Sequence, residues 1–291
     1  MQQGILADKN GWVKGLVWFG IMLTLTIVVM VGWTVLPIDH QSTTALKWFQ
    51  FVQTIATFLI PPYIIAWLCS QKPKQWLQLD SKPAWWMVVS AIVIMVVALP
   101  GINLLADWNS RMSLPEWLKP LEELMRQQED AAQRLTEQFL SGRGVELLVA
   151  NIVLMAFLPA MAEEMTFRGM LQKLIPNKHV AVWVVAILFS AIHFQFFGFV
   201  PRMLLGAMFG YMMVWTGSLW IPITMHFVNN VVTVVAYWII FNNNLNPDTV
   251  ETFGTGDTLW LGIVSLVLTG VGLYCFWRLS RTISNASSRI S

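Results

Sequence analysis

Long apolar runs separated by short polar segments constrain the fold of this 291-residue chain more than any other feature. A helix needs about 20 predominantly apolar residues to cross a bilayer, because every backbone polar group must be satisfied inside the hydrocarbon. The sequence therefore predicts an all-α polytopic membrane protein with about eight transmembrane helices. The predicted spans are approximately 15–36, 48–69, 84–106, 144–161, 180–199, 203–216, 220–240 and 258–277.

Composition supports a membrane protein and argues against two other classes. The chain is 56% hydrophobic and 12% charged, which is too apolar and too poor in charge for a soluble domain of this size. Its formal net charge of +2 is too small to indicate nucleic-acid binding. We therefore expect the lipid bilayer as the surroundings of the chain, and no nucleic-acid partner.

Basic residues near the ends of the predicted spans fall on one side of the membrane. Because such residues are retained in the cytoplasm, both termini are predicted to be cytoplasmic. Acids outnumber bases in segments 107–143 and 241–257, which are predicted on the opposite side. The short loops fit a bacterial inner membrane. The basic residues are Lys9, Lys14, Lys72, Lys74, Lys82, Lys173, Lys178, Arg278, Arg281 and Arg289.

The chain divides into three predicted regions. Residues 1–143 form a three-span region with an extramembrane amphipathic helix, because apolar residues within 107–143 recur at steps of three and four. Residues 144–240 hold most of the polar groups embedded in apolar sequence, and 241–291 hold the last span and a polar cytoplasmic tail. The amphipathic helix has two interpretations: it rests on the outer face of the bundle, or it is a lid over a site.

Three ionisable residues follow directly on the fourth apolar run. Each charged group at mid-bilayer costs about 2.5 to 3.5 kcal/mol, so Glu163, Glu164 and Arg168 together cost about 7 to 10 kcal/mol unless they are paired. Glu164 and Arg168 are four residues apart and share a helix face, whereas Glu163 points about 100° away from Glu164. The spacing predicts a structural Glu164–Arg168 pair and a free Glu163 carboxylate.

Two histidines and an asparagine lie in the apolar runs that follow. His226 and Asn230 are four residues apart on one predicted helix face, and Phe189 lies one turn before His193. Taken singly, each of these residues is most often a hydrogen-bonded packing residue. Together with Glu163 they could activate water, hold an imidazole tautomer and donate to an oxyanion.

The motifs E-E-x-x-x-R, F-x-x-x-H and H-x-x-x-N resemble, in order and spacing, those of the CAAX protease and bacteriocin-processing (CPBP/Abi) family of intramembrane endopeptidases, which includes the type II CAAX prenyl endopeptidases. They are carried by Glu163, Glu164 and Arg168, by Phe189 and His193, and by His226 and Asn230. The resemblance covers about 144–235 and makes 144–240 a CPBP/Abi-like catalytic core.

The resemblance implies a helical bundle around an intramembrane catalytic cavity and assigns roles by position. Glu163 is expected to be the base that deprotonates the attacking water, and His193 to help hold that water. His226 and Asn230 are expected to bind the oxyanion. The supporting or substrate-binding residues are Glu164, Arg168 and Phe189.

The sequence leaves metal dependence as a choice between two alternatives. Glu163, His193 and His226 are acceptable zinc ligands, and three protein ligands with an open water position are the usual catalytic pattern. There is, however, no H-E-x-x-H motif with two histidines one turn apart. The resemblance implies a glutamate-dependent protease, so we expect no cofactor, with zinc as the alternative.

The predicted function is hydrolysis of a peptide bond by glutamate-activated water, in a membrane-associated or lipidated peptide or protein substrate. One alternative is a transporter or proton relay, because buried Glu, His and Arg also mark ion paths. Another is a catalytically idle membrane scaffold or immunity protein. The transporter class usually shows repeated halves, which this sequence lacks.

The preference for a glutamate-dependent site makes a prediction about chelation. If Glu163 itself activates the water, hydrolysis survives exhaustive chelation, and elemental analysis of the purified chain finds substoichiometric zinc. One tightly held zinc per chain, lost together with activity, would contradict this expectation.

Overall fold

The computed structural model describes residues 4–245 and 252–287, and within those residues it is helical, with no strand. Of the predicted third region, 246–251 and 288–291 lie outside the described residues, and Arg289 is among them. The helices are α1 (Gly11–Val35), α2 (Thr43–Cys69), α3 (Pro73–Trp76), α4 (Trp85–Ser110), α5 (Lys119–Leu140), α6 (Val145–Leu174), α7 (Lys178–Ala191), α8 (Phe199–Thr216), α9 (Trp220–Asn243) and α10 (Leu259–Ser287).

Seven of the described helices are long and apolar enough to cross a membrane, so the chain is a polytopic helix bundle. The prediction of eight full-length spans is wrong at one place. The apolar run 180–199 forms α7, which is 14 residues long and ends at Ala191, below the length of a span. A turn that includes Phe194 at φ +54° and a short 3₁₀ turn, Phe196–Gly198, then lead into α8.

Helix α6 extends further than its apolar run predicts. The predicted span ended near residue 161, whereas the helix continues to Leu174. It contains two π-helical stretches, Ile152–Phe157 and Met165–Leu171. Single π-helical turns are rare and often occur at functional sites. Glu163, Glu164 and Arg168 therefore lie inside a continuous helix rather than beyond its end.

The loops with the predicted cytoplasmic lysines gather at one end of the bundle, which we call the basic end. The Leu219 N–H donates to the Gln78 carbonyl, and the Ser218 hydroxyl donates to the Ser81 carbonyl. Lys173 Nζ donates to the Trp76 carbonyl. The loop between α2 and α4, the end of α6 and the start of α9 are thus held together. That this end faces the cytoplasm stays a prediction.

At the opposite end, the predicted amphipathic helix is present as α5, with Pro120 in its first turn. It packs on the turn between α7 and α8: the Glu129 carboxylate accepts the Phe197 N–H at 3.2 Å, and the Arg126 guanidinium lies 4.0 Å from the centre of the Phe197 ring. From α4, the Asn109 side chain accepts the Val200 N–H at 2.7 Å. Helix α5 therefore covers the turn that carries His193.

A serine on α10 bonds to the backbone of α4 next to a proline. Pro100 lies inside α4, which stays continuous, and the Ser265 hydroxyl donates to the Val97 carbonyl at 2.5 Å and accepts the Gly101 N–H at 2.9 Å. Backbone groups freed near a proline in a membrane helix are commonly satisfied by a neighbouring Ser or Thr. The two hydrogen bonds of Ser265 hold α10 against α4 beside Pro100.

Ser265→Ala should lower the stability of the bundle by about 1 to 2 kcal/mol, because it leaves a buried carbonyl and a buried N–H without the hydroxyl. The measurement is thermal unfolding of the purified chain in detergent. Thr269→Val on the same helix is the matched control, because the buried Thr269 hydroxyl has no hydrogen-bond partner within 4–245 and 252–287. Equal losses in the two variants would contradict the assigned role of Ser265.

Candidate functional site

A fully buried ion pair lies at the centre of the site. Nη1 of Arg168 donates to Oε1 of Glu164 at 2.7 Å, and both side chains have zero exposure. Nη2 of Arg168 donates to the Gly206 carbonyl on α8 at 2.8 Å. The Glu164–Arg168 pair predicted from spacing is therefore present, and it ties α6 to α8.

Aromatic rings enclose the guanidinium of Arg168. Its central carbon lies 4.7 Å from the ring centre of Phe189, 5.4 Å from that of Phe209 and 5.8 Å from that of Phe167. A cation over an aromatic face is stabilised by the ring quadrupole, and more strongly where water is absent. A Cβ at Gly206 would lie only 3.2 Å from Nη2, so glycine lets α8 approach this charge.

His226 is the second partner of Glu164, which sequence spacing could not reveal because the contact joins α6 to α9. Nδ1 of His226 lies 2.9 Å from the same Oε1 that accepts Arg168. The imidazole stacks on Phe209, with centroids 5.4 Å apart, and meets Phe189 edge to face at 5.9 Å. The orientation of His226 is therefore fixed, with Nδ1 engaged and Nε2 turned away from Glu164.

Glu163 lies across from Nε2 of His226. Its Oε2 is 4.0 Å from that nitrogen, too far for a direct hydrogen bond. In the part of the chain that the structure describes, Oε2 has no hydrogen-bond partner. The side chain is 16% exposed, in contrast to the fully buried Glu164. The adjacent carboxylates thus have different environments, in agreement with their predicted divergence on the helix.

His193 lies just past the end of α7, not within a helix as the predicted span implied. Its Nδ1 is 2.7 Å from the Phe189 carbonyl, so Nδ1 carries the proton and donates, which leaves Nε2 as an acceptor. The Phe189 ring lies edge-on to His193 with centroids 5.2 Å apart, and it also contacts His226. Phe189 therefore separates the two imidazoles and supports both.

A cavity of about 320 Å³ brings several of these side chains together. Phe189, His193, His226 and Asn230 line it, as predicted for a shared site. Glu163, which was predicted to share this site, is not among the lining residues, and its Oε2 lies 4.0 Å from Nε2 of His226, which does line the cavity. The lining residues are Leu99, Ile102, Asn103, Ala106, Phe189, His193, Gly198, Pro201, Arg202, Leu205, Phe209, His226, Asn229, Asn230 and Thr233.

Two cavity residues received no role from the sequence. Asn229 lines the cavity beside Asn230, and its Nδ2 donates to Oδ1 of Asn230 at 3.1 Å. Arg202 donates to the carbonyl and the side-chain oxygen of Gln195 at 3.1 and 2.9 Å. Arg202 could have been noticed in the sequence as a single charged residue in an apolar run. Nothing in the sequence indicated Asn229, because its position depends on its contact with the Asn230 amide.

At the rim of the cavity, burial raises the pKa of the Glu129 carboxyl on α5. The hydrogen bond from the Phe197 N–H and the charge of Arg202 offset part of that rise. Glu129 thus balances the charge of Arg202 while it caps the turn that carries His193.

The zinc alternative required Glu163, His193 and His226 to converge on one ion. Among the described residues, no group of three or more His, Cys, Asp or Glu side chains is arranged to hold a metal. Nδ1 of His226 is bonded to Glu164 and Nδ1 of His193 to a carbonyl, which leaves Nε2 of each ring free, as it also would be in a metal-ligating histidine. That the site works without zinc stays a prediction.

Comparisons with known proteins agree with the family resemblance that the three motifs indicate. Residues 145–232 match the family model described as type II CAAX prenyl endopeptidase Rce1-like. The uncharacterized protein YpbD of Bacillus subtilis strain 168 is 34% identical over 84 residues, which are 28% of this chain and 42% of that protein. No solved structure matches the chain. The family resemblance is confirmed for the segment that carries the three motifs, and this chain spans less than half of the curated relative.

The contrast between the two carboxylates predicts effects of different size on stability. Glu164→Gln leaves the buried Arg168 charge uncompensated and should cost about 3 to 5 kcal/mol. Glu163→Gln removes a carboxylate whose Oε2 makes no hydrogen bond and should change stability by less than about 1 kcal/mol. Unfolding midpoints in detergent distinguish them, and a larger loss for Glu163→Gln would contradict the assignment.

Proposed function

We propose that this chain, whose residues 145–232 resemble the type II CAAX prenyl endopeptidases, is a membrane endopeptidase in which Glu163 activates the attacking water. One observation carries the proposal: Nδ1 of His226 is held by Glu164, and Nε2 lies 4.0 Å from Oε2 of Glu163 beside a polar cavity. A free carboxylate and a fixed imidazole at that spacing can act on one small molecule held between them.

The spacing suits a water molecule that contacts both groups. A water about 2.8 Å from each of two atoms 4.0 Å apart is held at an angle of about 90°, which is normal for water with two partners. Glu163 accepts one proton of this water as its oxygen attacks the scissile carbonyl carbon. His193 accepts a hydrogen bond from the same water through Nε2.

The attack converts the substrate carbonyl oxygen into an oxyanion, which needs hydrogen-bond donors. Asn230 supplies one: Asn229 donates to its Oδ1, which fixes the amide and leaves Nδ2 for the oxyanion. His226 supplies the other when both ring nitrogens carry protons: its Nε2–H contacts the water before the attack and donates to the oxyanion once the water oxygen has bonded to the carbonyl carbon. Collapse of the intermediate breaks the C–N bond, and Glu163 returns its proton to the leaving amine.

Glu164 and Arg168 act as positioning residues in this mechanism. They hold Nδ1 of His226 and do not touch the substrate, because both side chains have zero exposure. Of the two roles that the family resemblance allowed, supporting or substrate-binding, we therefore propose the supporting one. The rigid packing of the three aromatic rings keeps the imidazole in place while the water reacts.

The proposed substrate is a membrane-associated or lipidated peptide or protein. A cavity bounded by α4, α8 and α9, all within the membrane-spanning bundle, suits a peptide presented at the bilayer. The bilayer is the proposed surrounding partner, and a bacterial cytoplasmic membrane with both termini in the cytoplasm is the proposed location. The glutamate mechanism, without a metal cofactor, is proposed because Oε2 of Glu163 has no hydrogen-bond partner among the described residues and lies 4.0 Å from Nε2 of His226, and because the sequence has no H-E-x-x-H motif.

Glu163→Gln should abolish hydrolysis, because a neutral amide cannot accept the proton of the water; a loss of at least about a hundredfold in kcat is expected. The assay follows purified chain in lipid nanodiscs with a panel of fluorogenic membrane-anchored peptides, including a farnesylated one. His193→Ala should lower kcat by a similar factor without a large change in unfolding midpoint.

Glu146→Gln is the matched control, since Glu146 is an exposed carboxylate in the first turn of α6. It should keep wild-type kcat. Cleavage by Glu163→Gln at the wild-type rate, or no cleavage of any peptide by the wild-type chain, would contradict the proposal. The second outcome would favour the transporter or scaffold alternatives.

A further inference from the structure

A second polar pocket lies at the basic end of the bundle, apart from the cavity described above. It has a volume of about 430 Å³, and among the described residues none lines both spaces. The loop after α3, the end of α6, the start of α7 and the end of α8 surround it. Its lining residues are Gln78, Arg168, Gln172, Lys173, Ile175, Pro176, Lys178, Met213, Val214 and Gly217.

The charge of this pocket is positive. Arg168, Lys173 and Lys178 line it, and within residues 4–245 and 252–287 no acidic side chain does. Asp80 is the acid whose charge acts on Lys173, and it lies outside the lining. The two lysines are exposed, whereas Arg168 is buried. Such a concave basic surface between membrane helices suits an anionic group that enters from the membrane surface.

The inner wall of the pocket consists of residues that bond to the neighbouring helix. Nε2 of Gln172 donates to the Gly210 carbonyl at 3.2 Å, and Nη2 of Arg168 donates to the Gly206 carbonyl at 2.8 Å. Both side chains are buried, so the positive groups that a bound anion can reach are the exposed Lys173 and Lys178.

Two tryptophan side chains lie beside the pocket. Lys173 Nζ lies 5.2 Å from the ring centre of Trp76, and the Trp220 indole donates to the Leu79 carbonyl at 2.8 Å. Amphipathic indoles prefer the interface between hydrocarbon and water. Lysines beside such rings lie at the level of lipid phosphates.

We infer that this pocket binds the phosphate-bearing headgroup of an anionic glycerophospholipid. Lys173 and Lys178 pair with the phosphate. The inference is independent of the proposed hydrolysis, because it concerns a different space and its test measures binding alone.

The test is native mass spectrometry of the full chain in neutral detergent, titrated with phosphatidylglycerol and, separately, with phosphatidylcholine. Wild-type chain should bind phosphatidylglycerol selectively. Lys178→Gln, which breaks no hydrogen bond seen in the described residues, should weaken that binding about fivefold, and Lys173→Gln with Lys178→Gln about 25-fold. Inorganic phosphate as competitor distinguishes the two sources of the group: displacement supports recognition of phosphate itself, and retained selectivity without displacement supports recognition of the whole lipid.

The matched control is Lys72→Gln with Lys74→Gln, which removes the same charge at the same end from exposed residues outside the pocket. It should keep wild-type affinity. Equal binding of the two lipids, or equal weakening by the two double variants, would overturn the inference. Unfolding midpoints of all variants verify that the bundle is intact.

Discussion

The side chains of Arg168 and Glu164 are both completely buried, so their charged groups need hydrogen-bond partners inside the bundle. The helices around them must supply those partners. The desolvation of each ion costs several kcal/mol, which only well-placed partners offset. Those partners come from three helices: Glu164 from α6, the Gly206 carbonyl from α8 and His226 from α9. The charge network can therefore exist only when these helices are assembled.

The same network explains how polar chemistry is held in an apolar bundle. Glu164 Oε1 accepts both Arg168 and His226, so the imidazole is oriented by a charge that is itself fixed. His226 then faces the cavity on one side, while Arg168 contributes to the wall of the basic pocket on the other. The proposed catalytic site and the proposed lipid site thus lie on opposite sides of the network formed by Glu164, Arg168 and His226.

Much of this arrangement was predictable from local spacing. The Glu164–Arg168 pair follows from positions four apart, and the cavity-facing placement of His226 and Asn230 follows from the same rule. The partner of His226 was not predictable, because no spacing rule reports a contact between residues 62 positions apart. The end of α7 was missed because the residues after it are as apolar as those within it, and hydropathy does not register a turn at Phe194.

The most direct test of the central claim is an experimental structure of the chain with a peptide phosphinate, whose tetrahedral phosphorus imitates the hydrated carbonyl. The account predicts one phosphinate oxygen about 3 Å from the Glu163 carboxylate and the other about 3 Å from Nε2 of His226 and Nδ2 of Asn230. A phosphinate group bound away from Glu163, with these three side chains on separate surfaces, would contradict it.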